Sequence, residues 1–250
     1  FAARQAGVKL VASRRDLGQI YPPWKRVLMQ RADQAAKRVV ANAEAVRRHF
    51  VAQGLAAGKI VLLPNLLDLD EFDDQARAHA GWADRLPPGR RMVVVNRLDP
   101  EKNTGLLIAA LPLVRREIPN AVLVVAGDGR EMPALRKQVS GLGLDACVCF
   151  LGETQAVPAL LKNCEAGALV PMRNEGLSNT ILEYMAAELP ALASDCGGNR
   201  ELVRNGTTGC LVGPQASAAE VARAWVSLLR DPVAAREMGR RGRKAVCERF

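Results

Sequence analysis

The chain has 250 residues, 49% hydrophobic and 24% charged, with 35 Lys or Arg against 26 Asp or Glu for a formal net charge of +9. This balance is that of a globular protein with one large core or two smaller ones, and it excludes a disordered or fibrous chain. No apolar run approaches the roughly 18 residues of a membrane span. Aromatics make up only 4% and nothing reads as a stacking platform or recognition motif, which argues against nucleic acid as a partner.

In chain order, Trp24 to Val40 and Ala43 to Gln53 carry helical periodicity, and Lys59 to Leu63 reads as a strand. Asp68 to Pro88 is polar and ends in Pro87-Pro88-Gly89. That linker composition sets a boundary near Leu86 and divides the chain into residues 1–86 and 87–250. Arg91 to Asn96 reads as a buried parallel strand, Arg97 to Asn103 as a loop, and Thr104 to Arg116 as a helix. Strands near Met92, Val122, Cys147, Ala166, Ala191 and Gly209 alternate with helical stretches, the signature of an α/β, doubly wound parallel sheet. No internal repeat or low-complexity segment is evident.

Two places carry chemistry. Glu175 and Glu183 bracket the glycine-led stretch Gly176-Leu177-Ser178-Asn179, and Ser178 or Asn179 as cap predicts a helix beginning near Asn179. The unpaired first amides of such a helix favour an anion such as a diphosphate, by roughly 0.3 to 1 kcal/mol per charge. Glu183, one turn in, shares a face with Asn179 and can accept hydrogen bonds from a pair of hydroxyls, while Glu175 points into the cleft from the loop. Taken alone, the ordinary reading is a capping Glu175 and a solvated Glu183. The second place is the carboxyl end of the strand at 91–96. Arg97 and Lys102 stand there, on the sheet edge where ligands of open α/β sheets bind, and suit a diphosphate as fork and point charge.

Other candidates read as structural. Cys147, Cys149, Cys164, Cys196, Cys210 and Cys247 lack paired metal spacing, and four lie in or beside apolar strand-like runs, so free buried thiols of a reducing cytosol are expected. His49 and His79 sit in polar helical or linker contexts and are not read as catalytic. Gly127-Asp128-Gly129 lacks the third glycine of a dinucleotide fingerprint, against a nicotinamide enzyme.

Several motifs arrive in a telling order: Asn-Arg-Leu-Asp-Pro-Glu-Lys-Asn at 96–103, Val-Val-Ala-Gly-Asp-Gly at 124–129, Phe-Leu-Gly at 150–152, Asn-Glu-Gly-Leu-Ser-Asn through Glu183, and Gly-Gly-Asn-Arg-Glu at 197–201. With Ala41 to Val46 and Lys59 to Asn65, they resemble the retaining family 4 glycosyltransferases of the GT-B fold over most of the chain. The resemblance implies a Rossmann-like donor domain at 87–250 and, at 1–86, the C-terminal part of a second Rossmann-like acceptor domain with the linker. It implies that Arg97 and Lys102 hold the donor diphosphate, that Glu175 contacts the donor sugar and Glu183 the nucleotide ribose, and that the amides of Gly176, Leu177, Ser178 and Asn179 complete a phosphate cradle. Asn96 departs from the family, which usually has Gly there, and adds bulk beside the phosphates.

By the same resemblance, Val8 to Arg15 is a late strand of the first domain. Phe1-Ala2-Ala3-Arg4 is neither a charged leader nor an initiator methionine, and Glu248-Arg249-Phe250 approaches a final crossing helix. The expectation is a fragment with weak or absent turnover. Asp68-Leu69-Asp70 has the spacing of metal-binding aspartates in many other glycosyltransferases. Its position, leading from the last acceptor-domain strand into the linker, makes the acids turn and cap residues, so no metal is expected. Residues 1–48 hold eleven Lys or Arg against three acids, a net +8. Solvated helix faces are one account; attraction to anionic lipid headgroups at about 1 kcal/mol per cation is the other.

The expected activity is that of a hexosyltransferase moving a sugar from a UDP- or GDP-sugar to a hydroxyl of a saccharide or lipid-linked saccharide, in polysaccharide or glycolipid synthesis. Glu175, Arg97 and Lys102 are its expected catalytic residues. The expected setting is the cytoplasm, with the inner membrane face as a second location. A sugar phosphorylase, a nucleotide-sugar hydrolase and a noncatalytic nucleotide-sugar binding module remain the alternatives.

Overall fold

The computed structural model describes residues 5–79 and 81–250, so Phe1-Ala2-Ala3-Arg4, and Ala80 in the polar segment, lie outside the described residues. Strands Val11–Arg14 (β1), Arg38–Ala41 (β2) and Ile60–Leu62 (β3) form a parallel sheet in that order, connected by helices Pro23–Ala35 (α1) and Glu44–Ala52 (α2). Helical periodicity therefore overreached between Trp24 and Val40. The helix stops at Ala35 because Ala36 is extended (φ −69°, ψ 143°). The β-branched pair that follows joins a sheet, Val40 opposite Ser13 and Val39 opposite Ile60, where branched side chains pack best.

The polar segment is likewise more than a linker. Helix Leu69–Ala78 (α3) runs through it, started by the Asp68 carboxylate, which accepts from the Glu71 amide at 3.0 Å. Phe72, Trp82 and Leu86 are buried in the core. Asp68 thus acts as the cap expected of it.

Strands Arg90–Val95 (β4), Ala121–Ala126 (β5), Val148–Gly152 (β6), Ala166–Leu169 (β7), Ala191–Ser194 (β8) and Gly209–Val212 (β9) make the larger sheet, ordered β6-β5-β4-β7-β8-β9 and parallel throughout. Helices Thr104–Glu117 (α4), Met132–Gly141 (α5), Val157–Leu161 (α6), Asn179–Ala186 (α7), Asn199–Leu202 (α8), Ala218–Arg230 (α9) and Pro232–Arg249 (α10) alternate with these strands and close the chain. Every residue of β5 is buried, as a strand covered on both faces requires. One core gathers Leu107, Leu111, Leu123 and Trp225, the other Val124, Tyr184, Met185 and Val246. The fold is the expected α/β, Rossmann-like one.

Strand order reverses between β4 and β7. Their ladder is short, Met92 opposite Ala166 and Val93 opposite Gly167. Beyond it the fully buried Tyr184 of α7 enters between the strands: its hydroxyl accepts from the Val95 amide and donates to the Ala168 carbonyl, both at 3.0 Å. The ring lies flat over Gly167, where a Cβ would stand 2.4 Å from ring carbons. Such a parting of strands is where open α/β sheets bind ligands.

Tyr184→Phe leaves the Val95 amide without its partner and is expected to cost about 1–3 kcal/mol. Gly167→Ala, which collides with the ring, is expected to destabilise further. Urea denaturation measures both; an unchanged midpoint in Tyr184→Phe would remove the hydroxyl from this role.

Candidate functional site

Leu98 is fully buried and anchors the loop after β4, which then makes a single 3-10 turn over Pro100–Lys102. Asn103, left-handed at φ 57°, reverses the chain into α4, a conformation Asn tolerates better than most residues. The turn aims Lys102 across the strand gap, where its Nζ pairs directly with Glu175 Oε1; the two side chains are only 22% and 12% exposed. Arg97 is 76% exposed, with Asp99 its near carboxylate at 3.4 Å. Arg130 pairs with that same Asp99 at 3.4 Å. Arg97 is therefore weakly held and free to turn onto a ligand.

The facing side is the loop from β7 into α7. Ser178 caps the helix, its Oγ accepting from the Ile181 amide at 3.3 Å, and Asn179 is the first helical residue, as expected from the sequence. Gly176 is needed for close packing: a Cβ there would lie 2.1 Å from the Arg15 carbonyl oxygen and 2.6 Å from Asn42 Oδ1. Leu177 is buried, and its carbonyl accepts from Asn65 Nδ2 at 2.8 Å. The same Asn65 amide donates to Asn179 Oδ1 at 2.6 Å. Gly197, at φ +55°, and Gly198 back the loop. A Cβ on Gly197 would stand 1.9 Å from the Glu175 carbonyl oxygen, and the Gly198 amide donates to Gly176 at 3.1 Å.

Arg15, Asn42 and Asn65 follow β1, β2 and β3, so the carboxyl edges of both sheets meet on this one loop. A second tie binds them: the Glu201 carboxylate accepts from the amides of Glu44 and Ala45, at 3.0 and 2.8 Å, and so caps α2 from the opposite sheet. Sequence reasoning assigned no role to Asn42, Asn65, Glu201 or Tyr184. Asn42, Asn65 and Glu201 lie within motifs that resembled the family, but only tertiary contact shows what they hold.

Beside β4 and α7 opens a cavity of about 620 Å³, lined among others by Asn96, Arg97, Gly127, Asp128, Thr180 and Glu183. Gly127 (φ +128°) lets β5 pass close under Asn96, whose carbonyl oxygen would be 1.9 Å from a Cβ there. The Asn96 side chain points to Thr104, its Oδ1 accepting from the hydroxyl at 3.4 Å. Glu183 is not the solvated residue of the ordinary reading. Burial without a compensating cation pushes its carboxyl up to about 7, since removal from water disfavours the charged form. The structure thus brings Lys102 together with Glu175, and Arg97 together with Glu183, along one edge, with Gly176, Leu177, Ser178 and Asn179 between the two glutamates.

The cysteines differ in part from expectation. All six are free, but Cys196 alone among them is buried, Cys247 is exposed and the others are intermediate. Edge strands β6 and β9, which carry Cys149 and Cys210, are covered less fully than the central strands. Burial drives the Cys164 thiol up to about 12, so it is inert.

In the unfolded chain Glu183 releases its proton near the ordinary value of 4.5, whereas the native carboxyl holds it to about 7. Between these values the native state binds more protons, so stability falls as pH rises and the full penalty, about 3 kcal/mol, stands above pH 7. Glu183→Gln is expected to raise the melting temperature at pH 8 and leave it unchanged at pH 4.5. Equal shifts at both pH values would show that the carboxyl is not strained.

Residues 86–245 match the family described as glycosyl transferases group 1, and the chain belongs to that family. The fold is GT-B. The chain is 32% identical over 98% of its length to the GDP-mannose-dependent alpha-(1-6)-phosphatidylinositol monomannoside mannosyltransferase of Mycobacterium tuberculosis, and covers 66% of that protein. It is 37% identical over 61% of its length to the putative glycosyltransferase EpsD of Bacillus subtilis, covering 40% of it. The crystal structure of Anabaena HepE in complex with UDP-glucose superposes with a TM-score of 0.88 at 25% identity, over 100% of this chain and 70% of that one. The chain thus spans less than two thirds of the length of these curated relatives.

Proposed function

We propose that this chain is the donor-binding part of a retaining family 4 glycosyltransferase, dividing near Leu86 into an acceptor-side portion and a donor domain. It would move a sugar from a UDP- or GDP-sugar to the hydroxyl of a saccharide or lipid-linked saccharide. The observation that carries this reading is the convergence of two cations and two carboxylates on the parted edge of β4 and β7, beside the positive end of α7. Arg97, Lys102 and the amides of Gly176 to Asn179 would stabilise the charge that builds on the departing diphosphate. Glu175 orients the sugar, Glu183 accepts from the ribose hydroxyls, and attack comes from the face of departure. The cations take the part a metal would otherwise play, so none is required.

The relatives support either nucleotide, since one is named for GDP-mannose and another holds UDP-glucose. The mannosyltransferase is also named for phosphatidylinositol monomannoside, in keeping with a lipid-linked acceptor here and with attraction of the +8 segment at 1–48 to an anionic inner membrane face. Among the described residues no helix is long and apolar enough to cross a membrane. Cosedimentation with anionic but not neutral liposomes is expected; equal sedimentation with both would sink the membrane assignment.

Titration calorimetry of this chain with UDP, GDP, ADP and their sugars tests the site. One nucleotide class is expected to bind, equally well in EDTA, and about tenfold more weakly to Lys102→Ala and to Glu183→Ala. Absence of binding by all three nucleotides would overturn the reading.

A further inference from the structure

The Lys102 to Glu175 contact joins residues 73 positions apart and is the single ion pair either of them makes among the described residues. Asn103 in the left-handed region sets the turn that ends in Lys102, and Gly197 packs closely under the Glu175 carbonyl, where a Cβ would stand 1.9 Å away. With 22% and 12% exposure, neither charge is well solvated, and separating them leaves each in need of a new partner.

A bare nucleoside diphosphate would meet Lys102 with its charge already matched. To take the ammonium it must leave the Glu175 carboxylate unpaired beside its own phosphate oxygens. A diphosphate that still carries its sugar brings replacement donors, because hydroxyl groups can satisfy the carboxylate while the phosphates satisfy Lys102. We infer, building on the reading of the site proposed above, that Glu175 is a specificity-determining residue. It holds Lys102 until sugar hydroxyls displace it, so the site takes a sugar nucleotide in preference to the bare diphosphate. Once the sugar has left, the pair re-forms and the diphosphate is released.

The test is a double-mutant cycle read by calorimetry, with GDP, GDP-mannose, UDP and UDP-glucose as probes. Wild type is expected to bind the sugar nucleotide of its class more tightly than the bare diphosphate. Glu175→Gln is expected to tighten the bare diphosphate about tenfold and abolish that preference. In Lys102→Ala, where no ammonium is held, the same Glu175 substitution is expected to tighten the diphosphate clearly less than it does in the wild-type background. Equal tightening in both backgrounds would reduce Glu175 to a repulsive charge and overturn the inference, as would no tightening at all. Glu175→Asp, which keeps the charge but withdraws it from Lys102, should tighten the diphosphate several-fold, and thermal melts establish that each variant is folded. If wild type binds none of the probes, the reading of the site falls and this inference with it; if wild type binds and the cycle is flat, the inference alone falls.

Discussion

The wedge of Tyr184 between β4 and β7 is the contact on which the rest depends. Two parallel strands that could continue pairing instead part after Val93 and Gly167, and the phenol hydroxyl satisfies one backbone group on each across the gap. Because Tyr184 belongs to α7, the group that parts the strands also fixes the helix whose first turn faces the opening. Packing at Gly167 and placement of the helix terminus are one event.

The loop ahead of α7 is shared property. It leaves one sheet, yet Asn42 and Asn65 from the other hold its Leu177 carbonyl, and Gly176 fits under the Arg15 carbonyl only because it lacks a side chain. Glu201 completes the joint by capping α2 across the interface. These contacts are polar and directional, and they stand beside an apolar cluster that gathers residues of both sheets. They fix register between the two carboxyl edges, since a small shift would break several directional bonds together.

Charge at this edge is arranged at some expense to stability. Glu183 is half-buried, and desolvation raises its carboxyl with no cation to offset it, and Lys102 and Glu175 are matched to each other while partly desolvated. A core built for stability alone would avoid both. Such groups persist where their unmet demand is met by a ligand, and they lie where the strand order reverses.

The sequence by itself determined the parallel α/β character, the six strands of the larger sheet, the start of α7 at its Ser178 cap, and the residue types at the edge. These are local matters: strand apolarity, alternation with helices, and capping chemistry act within a few residues. Tertiary structure decided the rest. Whether Val39 and Val40 continue a helix or join a sheet depends on partners at 11–14 and 60–62. Whether the polar stretch after Asp68 is bare linker or helix depends on a core that receives Phe72, Trp82 and Leu86. Glu183 could be solvated or buried on any helix, and its burial follows from the walls that β4 and β5 build around it. The pairing of Lys102 with Glu175 likewise belongs to the folded molecule, because a Coulomb contact depends on distance in space, and the placement of β4 beside β7 in the sheet brings those two loops together.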